Sequence, residues 1–520
     1  MSAVLDDLNP LMKATAASSS DATAAPDAAA GRPSSALASF LRIGVVGCSH
    51  GELDAIYDAV VKADAQAADG RRVDLLLCCG DFQAMRNPAD LACMACPDKY
   101  KSMQSFWRYY SGVAVAPVPT LFIGGNHEAT NHCAELPLGG WAAPNIFYLG
   151  SAGVINFGGL RVGGVSGIYK AHDFHKGVHE RAPYTARGAL HSANHQRAFD
   201  FWRLATLAAA PPPPIDIMLS HDWPEGVYNF GDAESLLAQK PFFREDMAAG
   251  ALGSPPSMAL LRALKPRFWF SGHLHCKFAA ILPHEAAPPT RFLALDKPGR
   301  ARSFLQVLDI PLPPGAELTP RAFHYDTAWA TVAVQAHSRT PGGSAAPPLP
   351  MSNPLPNVDA VATVAGALAR FSATARGATK EEADAAAIVA KGSPFLPVLI
   401  PPQSFVPSVA AWDGRSDVRS VHAPRQMGNP QTDALFEALG LEHITTVPCE
   451  GNTAARVRTA VGQGASSAST FAHSAADAYA AMMWAAVAAG GVPLGSGVGS
   501  GQAVALPVAV DANEIDIGDI

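Results

Sequence analysis

Five short, β-rich apolar runs constrain this chain more than any other feature: Arg42 to Gly47, Val73 to Leu77, Thr120 to Ile123, Ile215 to Leu219 and Arg267 to Phe270. Each ends in a polar cluster, and helical stretches separate them, which is the pattern of strands in an α/β domain. After the first run, Leu53, Ile56, Val60 and Val61 fall on one face of a helix predicted over Glu52 to Ala65. Asn156 to Ile168 and Phe292 to Ile310 read as further strands of a second sheet. The expected fold class is α/β, a two-sheet β-sandwich flanked by helices with a smaller C-terminal region.

The polar clusters are Cys48-Ser49-His50, Gly80-Asp81, Gly124-Gly125-Asn126-His127-Glu128, His221-Asp222 and Gly272-His273-Leu274-His275. All follow the carboxyl ends of predicted strands, where open α/β sheets place their sites. A single histidine in such a place is usually a cap or a core residue. Imidazole, carboxylate, amide and thiol groups at five strand ends in succession are not explained that way. Two divalent ions a few ångströms apart need a carboxylate able to bridge them, with imidazoles or amides in the remaining positions. Asp81 is the natural bridge. Glycines at 47, 80, 124, 125 and 272 permit tight turns and close backbone approach beside these groups. Paired ions of this kind polarise a phosphoryl oxygen and lower the pKa of a water between them.

Composition narrows the setting. The formal net charge of -7 and the low charged fraction, 16%, exclude a chain that coats nucleic acid through bulk positive charge, so any nucleic-acid contact must be local. The eight cysteines are too few and too irregular for a disulfide scaffold, which points to a reducing compartment, and Cys93-x-x-Cys96 has no second pair and reads as incidental. Residues 1–40 lack the basic and apolar regions of a secretory signal and read as a disordered tail. Ala478 to Val510 is uncharged, but glycines, serines and prolines interrupt it too often for a membrane span. Past Ile310, a Pro-rich connection is followed by Phe323 to Val334, one more strand or a docking segment, and then by a linker over 338–356. Helices are expected over Lys380 to Lys391 and Thr432 to Leu439, with largely disordered chain between and after them. The resulting organisation is a tail (1–40), a catalytic domain (41–310), a C-terminal region with linker (311–447) and a low-complexity tail (448–520).

The blocks resemble those of the calcineurin-like metallophosphoesterases, D-x-H, G-D, G-N-H-[ED] and G-H-x-H, except that Cys48 stands where an aspartate is usual. That departure is characteristic of the RNA lariat debranching enzymes, and the surrounding text is similar to theirs: GCSHGELDAIY (47–57), CCGDFQAMRN (78–87), YYSG (109–112), GGNHEAT (124–130), SGIYKAHDF (166–174), LSHDWPEGV (219–227), LGSP (252–255), HLHCKFAA (273–280) and FLALDKP (292–298). Tyr325 to Trp329 and Asn429 to Thr432 are weaker echoes of the family's C-terminal region.

The resemblance implies a metallophosphoesterase-type fold with one metal on Cys48, His50, Asp81 and His275, and another on Asp81, Asn126, His221 and His273. A thiolate in the first set favours Fe(II) or Zn(II), with Mn(II) as a substitute. His127 would be the general acid. Between Ser166 and Arg197 lie five Lys/Arg against two acids, with Tyr169, Phe174 and Tyr184, a local basic surface with stacking groups suited to single-stranded nucleic acid. It matches the family's lariat recognition loop, and Tyr169, Lys170, His172, Lys176 and Arg181 are its candidate substrate-binding residues. The implied activity is hydrolysis of the 2′,5′ phosphodiester at the branch point of excised intron lariats, by a monomer in the nucleus, with branched RNA as partner, splicing-related proteins as further ones, and no membrane. The alternatives are a generic binuclear phosphodiesterase or phosphatase, and a noncatalytic lariat-binding splicing factor.

Overall fold

The computed structural model describes residues 40–209, 214–316, 319–340, 356–418, 421–444 and 446. The two tails, most of the expected linker and the stretch Ala478 to Val510 lie outside these residues. Among the described residues no helix is long and apolar enough to cross a membrane.

The first five strands are β1 (Phe40–Val46), β2 (Leu75–Cys78), β3 (Thr120–Phe122), β4 (Gly140–Ala143) and β5 (Ile146–Tyr148). The next are β6 (Ala152–Phe157), β7 (Leu160–Val165), β8 (Ile217–Ser220), β9 (Phe268–Ser271), β10 (Phe278–His284) and β11 (Ala287–Ala294). Then follow β12 (Leu305–Pro311), β13 (Phe323–Tyr325) and β14 (Val398–Leu399). One six-stranded sheet has the order β12-β1-β2-β3-β5-β4, and an eight-stranded sheet has the order β10-β11-β9-β8-β7-β6-β13-β14. β1, β2, β3 and β5 run parallel, as do β7, β8, β9 and β11, while the outer strands are antiparallel. β2, β3, β8 and β9 are buried along their whole length, which is why they read as continuous apolar runs rather than alternating ones. The sheets meet through aromatic packing: Phe323 of β13 lies 5.4 Å from the Trp141 ring and 5.6 Å from that of Phe147.

The helix after β1 spans Leu53–Gln66 and buries Leu53, Ile56, Tyr57 and Val60. Val61, expected on that face, is 51% exposed, and Tyr57 takes the inward place, bonded to the Thr120 hydroxyl at 3.0 Å.

The C-terminal region departs most from expectation. Phe323 to Val334 is neither one strand nor a loose docking segment: β13 gives way to a helix over Thr327–His337. The Asp326 carboxylate caps that helix by accepting from Trp329 N, and it pairs with the buried Arg161 at 2.7 Å. A further helix, Val358–Ala375, lies where the sequence predicts no element, because its Ala, Val, Gly and Thr residues offer little polar contrast; Val361, Ala365 and Leu368 are fully buried. Nor is the chain before Pro430 loose. Pro401 O accepts from Trp141 Nε1, Trp412 N donates to Arg86 O, and Tyr110 Oη bonds both Val409 N and Val409 O. These are long-range contacts that no local pattern announces.

The anchor of that strap is Arg86. Its fully buried guanidinium meets Asp90 at 2.7 Å, Glu135 at 2.8 Å and Ser408 Oγ at 2.7 Å. Replacing Arg86 with Met leaves two buried carboxylates unpaired, and a loss of about 3–5 kcal/mol in unfolding free energy is expected from urea titration.

Candidate metal centre

Five loops converge between the two sheets: those after β1, β2 and β3 of the first, and those after β8 and β9 of the second. Ligand atoms of Cys48, His50, Asp81 and His275 all lie within 4.8 Å of one another. His50 Nε2 is 2.9 Å from His275 Nε2 and 3.6 Å from Asp81 Oδ2. The other oxygen of Asp81 faces a second set, with His221 Nε2 at 3.4 Å; that nitrogen is 3.1 Å from Asn126 Oδ1, and the His273 ring lies 5.0 Å from the His221 ring. The structure thus brings all seven predicted ligand residues together and places Asp81 between two donor groups.

The backbone is bent to achieve this. His50, Asp81, His273 and His275 all have left-handed backbone, with φ between 46° and 66°, a conformation uncommon for any residue but glycine and one that collects at functional sites. Two glycines are required by proximity. A Cβ on Gly80 would fall 2.3 Å from His221 Nδ1, and one on Gly125 would fall 2.2 Å from Asp81 Oδ1. Hydrogen bonds then orient the ligands. His221 Nδ1 lies 2.7 Å from Cys79 O, so it carries the proton and leaves the Nε2 lone pair facing Asp81. Cys48 Sγ accepts from His273 N at 2.9 Å, tying the β1 loop to the β9 loop. His127, half-buried beside the ligands with its ring 6.3 Å from that of His50, donates its backbone N–H to Asp81 Oδ1, and its Nδ1 lies 2.7 Å from Ala95 O. The Cys93-x-x-Cys96 turn, read as incidental, therefore supplies the carbonyl that orients this imidazole.

Glu128 is the residue whose role sequence reasoning missed. Its carboxyl accepts from Phe82 N, Gln83 N and Gly125 N at 2.7 to 2.9 Å, and so joins the Asp81 loop to the Asn126 loop. Its place in the G-N-H-E block was the available signal. Burial, and then the charge of Asp81, push it up to about 8 against those three donors.

Electrostatics show that the donor set fits a cation. Burial lowers His50 to about 4 and lowers His275 and His221 as well, so the imidazoles are neutral with lone pairs available. Burial alone would raise Asp81, but the facing His221, His127 and His50 hold it well below the usual carboxylate range. Burial and Asp81 together raise the Cys48 thiol well above its ordinary value. Two imidazole nitrogens aimed at one another across 2.9 Å must share a proton or a cation, and thiol, imidazole and carboxylate donors suit a borderline-soft divalent ion.

The segment from 166 to 197 is a folded unit and not an open loop. Ile168 bridges His195, Gly167 N donates to Gly124 O, and Asp222 Oδ2 accepts Tyr169 N at 3.2 Å, which pins the segment to the ligand loops. Its surface presents less positive charge than the residue tally suggests. Arg197 is buried against Glu180 at 2.7 Å, Lys170 is buried, and Lys176 holds Asp173 at 2.6 Å. Asp173 also takes His195 at 2.6 Å and faces His172 at 3.3 Å. This His-Asp-His trio resembles a metal site in outline, but Lys176 already compensates its carboxylate, and Lys170 and Arg197 add positive charge around His195. Of the five candidate substrate-binding residues, His172 is exposed, Tyr169, Lys176 and Arg181 are half-buried and Lys170 is enclosed. A cavity of about 150 Å³ under the segment is lined by Gly125, Lys176, Arg181, Tyr184 and Asn194, among others. The Tyr184 hydroxyl is buried there with no hydrogen-bond partner among the described residues.

Two mixed sheets with shared donor sets at their carboxyl edges place the protein in the metallophosphoesterase class, and residues 41–277 match the calcineurin-like phosphoesterase family. Residues 287–444 match the C-terminal domain of lariat debranching enzymes. The chain is 52% identical over 298 residues to the lariat debranching enzyme of Homo sapiens, a match covering 56% of this chain and 53% of that protein. It is 46% identical over 330 residues to that of Drosophila melanogaster, covering 56% of this chain and 60% of the relative. With the Arabidopsis thaliana lariat debranching enzyme it shares 48% identity over 293 residues, covering 56% of this chain and 68% of the relative. The chain belongs to the lariat debranching enzyme family. Its match spans about half the length of the vertebrate relatives.

Two outcomes follow from the site. Removing the Glu128 acceptor orphans three buried N–H groups, each worth about 1–3 kcal/mol, so Glu128→Ala should lower both melting temperature and bound metal by elemental analysis, and Glu128→Gln should retain more of each. Ligation by Cys48 would require its thiolate, while burial raises the thiol well above its ordinary value in the metal-free protein. Zn(II) uptake should therefore release a proton, with affinity rising with pH and falling toward acid; calorimetry in buffers of different ionisation enthalpy measures it.

Proposed function

We propose that this chain is a metal-dependent phosphodiesterase that hydrolyses the 2′,5′ bond at the branch point of lariat RNA. The observation that carries the reading is the position of Asp81 between two convergent donor sets, with His127 held beside them. Cys48, His50, Asp81 and His275 would hold one ion, and Asp81, Asn126, His221 and His273 the other. Fe(II) and Zn(II) suit the thiol-containing set, with Mn(II) as a substitute. Such a pair polarises a phosphoryl oxygen and supplies a nucleophile near neutral pH.

The chain's own residues do the rest. His127, its Nδ1–H held by Ala95 O, gives a proton from Nε2 to the departing 2′ oxygen. The products are a linear RNA with a 5′-phosphate and a branch nucleotide with a free 2′-hydroxyl. Substrate choice falls to the 166–197 segment, where His172 and Arg181 are better placed than the enclosed Lys170 to meet RNA. Family membership supports a nuclear location and branched intron RNA as the partner.

The test is a synthetic branched RNA with one 2′,5′ and one 3′,5′ linkage at the same adenosine, given to metal-stripped protein with Fe(II), Zn(II) or Mn(II) restored. Selective cutting of the 2′,5′ bond is expected. Cleavage of simple diesters alone would favour a generic phosphodiesterase, and tight binding without cleavage a noncatalytic lariat-binding protein. His127→Ala should cut turnover by roughly 10²–10⁴-fold while metal content stays unchanged; loss of metal would instead make His127 a ligand.

A further inference from the structure

β11 ends at Ala294, and the chain after it lies directly on the loop that carries Cys48. A Cβ on Gly47 would fall 2.2 Å from Leu295 O and 2.6 Å from Asp296 O. Backbone bonds fix this contact on both sides: Leu295 N donates to Ser271 O at 3.2 Å, Asp296 N to Ser303 O at 3.1 Å and Gly47 N to Phe304 O at 3.3 Å. The next residue is the half-buried Lys297, directly after the two carbonyls that lie against Gly47.

Lys297 has an unusual electrostatic position. The acid beside it, Asp296, is already engaged, since its Oδ1 accepts Arg302 at 2.8 Å and the Lys297 backbone N–H at 2.7 Å. Among the described residues no carboxylate pairs with the Lys297 ammonium. Burial is the larger cause of the shifts at Cys48, His50 and His275, the three donors that converge with Asp81, and the Lys297 charge acts to lower all three. An ammonium held against a site built for a divalent cation is repulsive unless an anion lies between the two. The phosphodiester of the proposed reaction is such an anion, and an ammonium bound to a phosphoryl oxygen forms a charge-assisted hydrogen bond that strengthens as charge builds on that oxygen.

We propose that Lys297 is a phosphate-binding residue, its ammonium taking a non-bridging oxygen of the scissile phosphate on the side of the centre formed by Cys48, His50 and His275. This assignment rests on the phosphodiesterase reading but not on 2′,5′ selectivity. The competing role for Lys297 is to balance the charge of the Cys48 thiolate and Asp81, in which case its removal would disturb metal retention and not phosphate binding.

The experiment compares wild type, Lys297→Met and Lys297→Arg as full-length chains reconstituted with Zn(II) or Mn(II). Three quantities are read: metal content after gel filtration, the Kd of inorganic phosphate by calorimetry, and kcat/KM on a small chromogenic diester and on branched RNA. The expected result for Lys297→Met is unchanged metal content, phosphate affinity weakened at least tenfold, and kcat/KM lowered by roughly 10²–10³-fold on both substrates. Lys297→Arg, which keeps the charge, should recover most of the phosphate affinity. Unchanged phosphate affinity in Lys297→Met, or loss of a metal ion from it, would overturn the assignment. A wild-type protein that cleaves the small diester but not branched RNA would overturn the debranching reading alone, because the phosphate Kd reports on Lys297 independently of that reading.

Discussion

A buried, ionised carboxylate at the meeting point of two sheets is the constraint on which the rest of the structure depends. Asp81 is 1% exposed, sits in left-handed backbone and turns one oxygen toward His50 and the other toward His221. A charge so placed is tolerable only where other groups compensate it, and the surrounding chain supplies them. The His127 backbone N–H bonds it, and Glu128 fixes the loops on either side. The glycines at 80 and 125 are part of the same arrangement, since a side chain at either would displace His221 or Asp81 itself.

The C-terminal region serves this centre at one remove. Asn429 and Ser408 both bond Glu135, which holds Arg86, and Arg86 follows directly on the loop that leaves Asp81. Asp326 caps its own helix and neutralises Arg161 on β7, next to β8, whose end carries His221. The family match over 287–444 thus corresponds to chain that closes both sheets, adding β12 to one and β13 and β14 to the other.

Much of the centre is legible in the sequence because it is assembled from local events. A short apolar run followed by a ligand residue recurs at Cys48, Asp81, Asn126, His221 and His273, with a glycine before all but His221, and each unit can be read without knowledge of its neighbours. Where the signal depends on partners far along the chain, reading fails. Glu128 shows as an acid in a motif, yet two of its three partners are backbone amides 45 and 46 residues away. The basic count over 166–197 is correct, but burial and pairing remove Arg197, Lys170 and much of Lys176 from the surface. Helix 358–375 offers little polar contrast to announce it and forms with Val361 and Leu368 fully buried.

By itself, then, the sequence determined an α/β chain whose strand ends carry thiol, imidazole, amide and carboxylate donors, because strand periodicity and turn chemistry are short-range properties. Only the tertiary structure decided that these ends meet, that Asp81 lies between the two sets, which cations stay exposed, and that Lys297 has no carboxylate partner among the described residues. Those outcomes depend on distances between residues far apart in the chain, and they are set when two sheets pack and bury one charge between them.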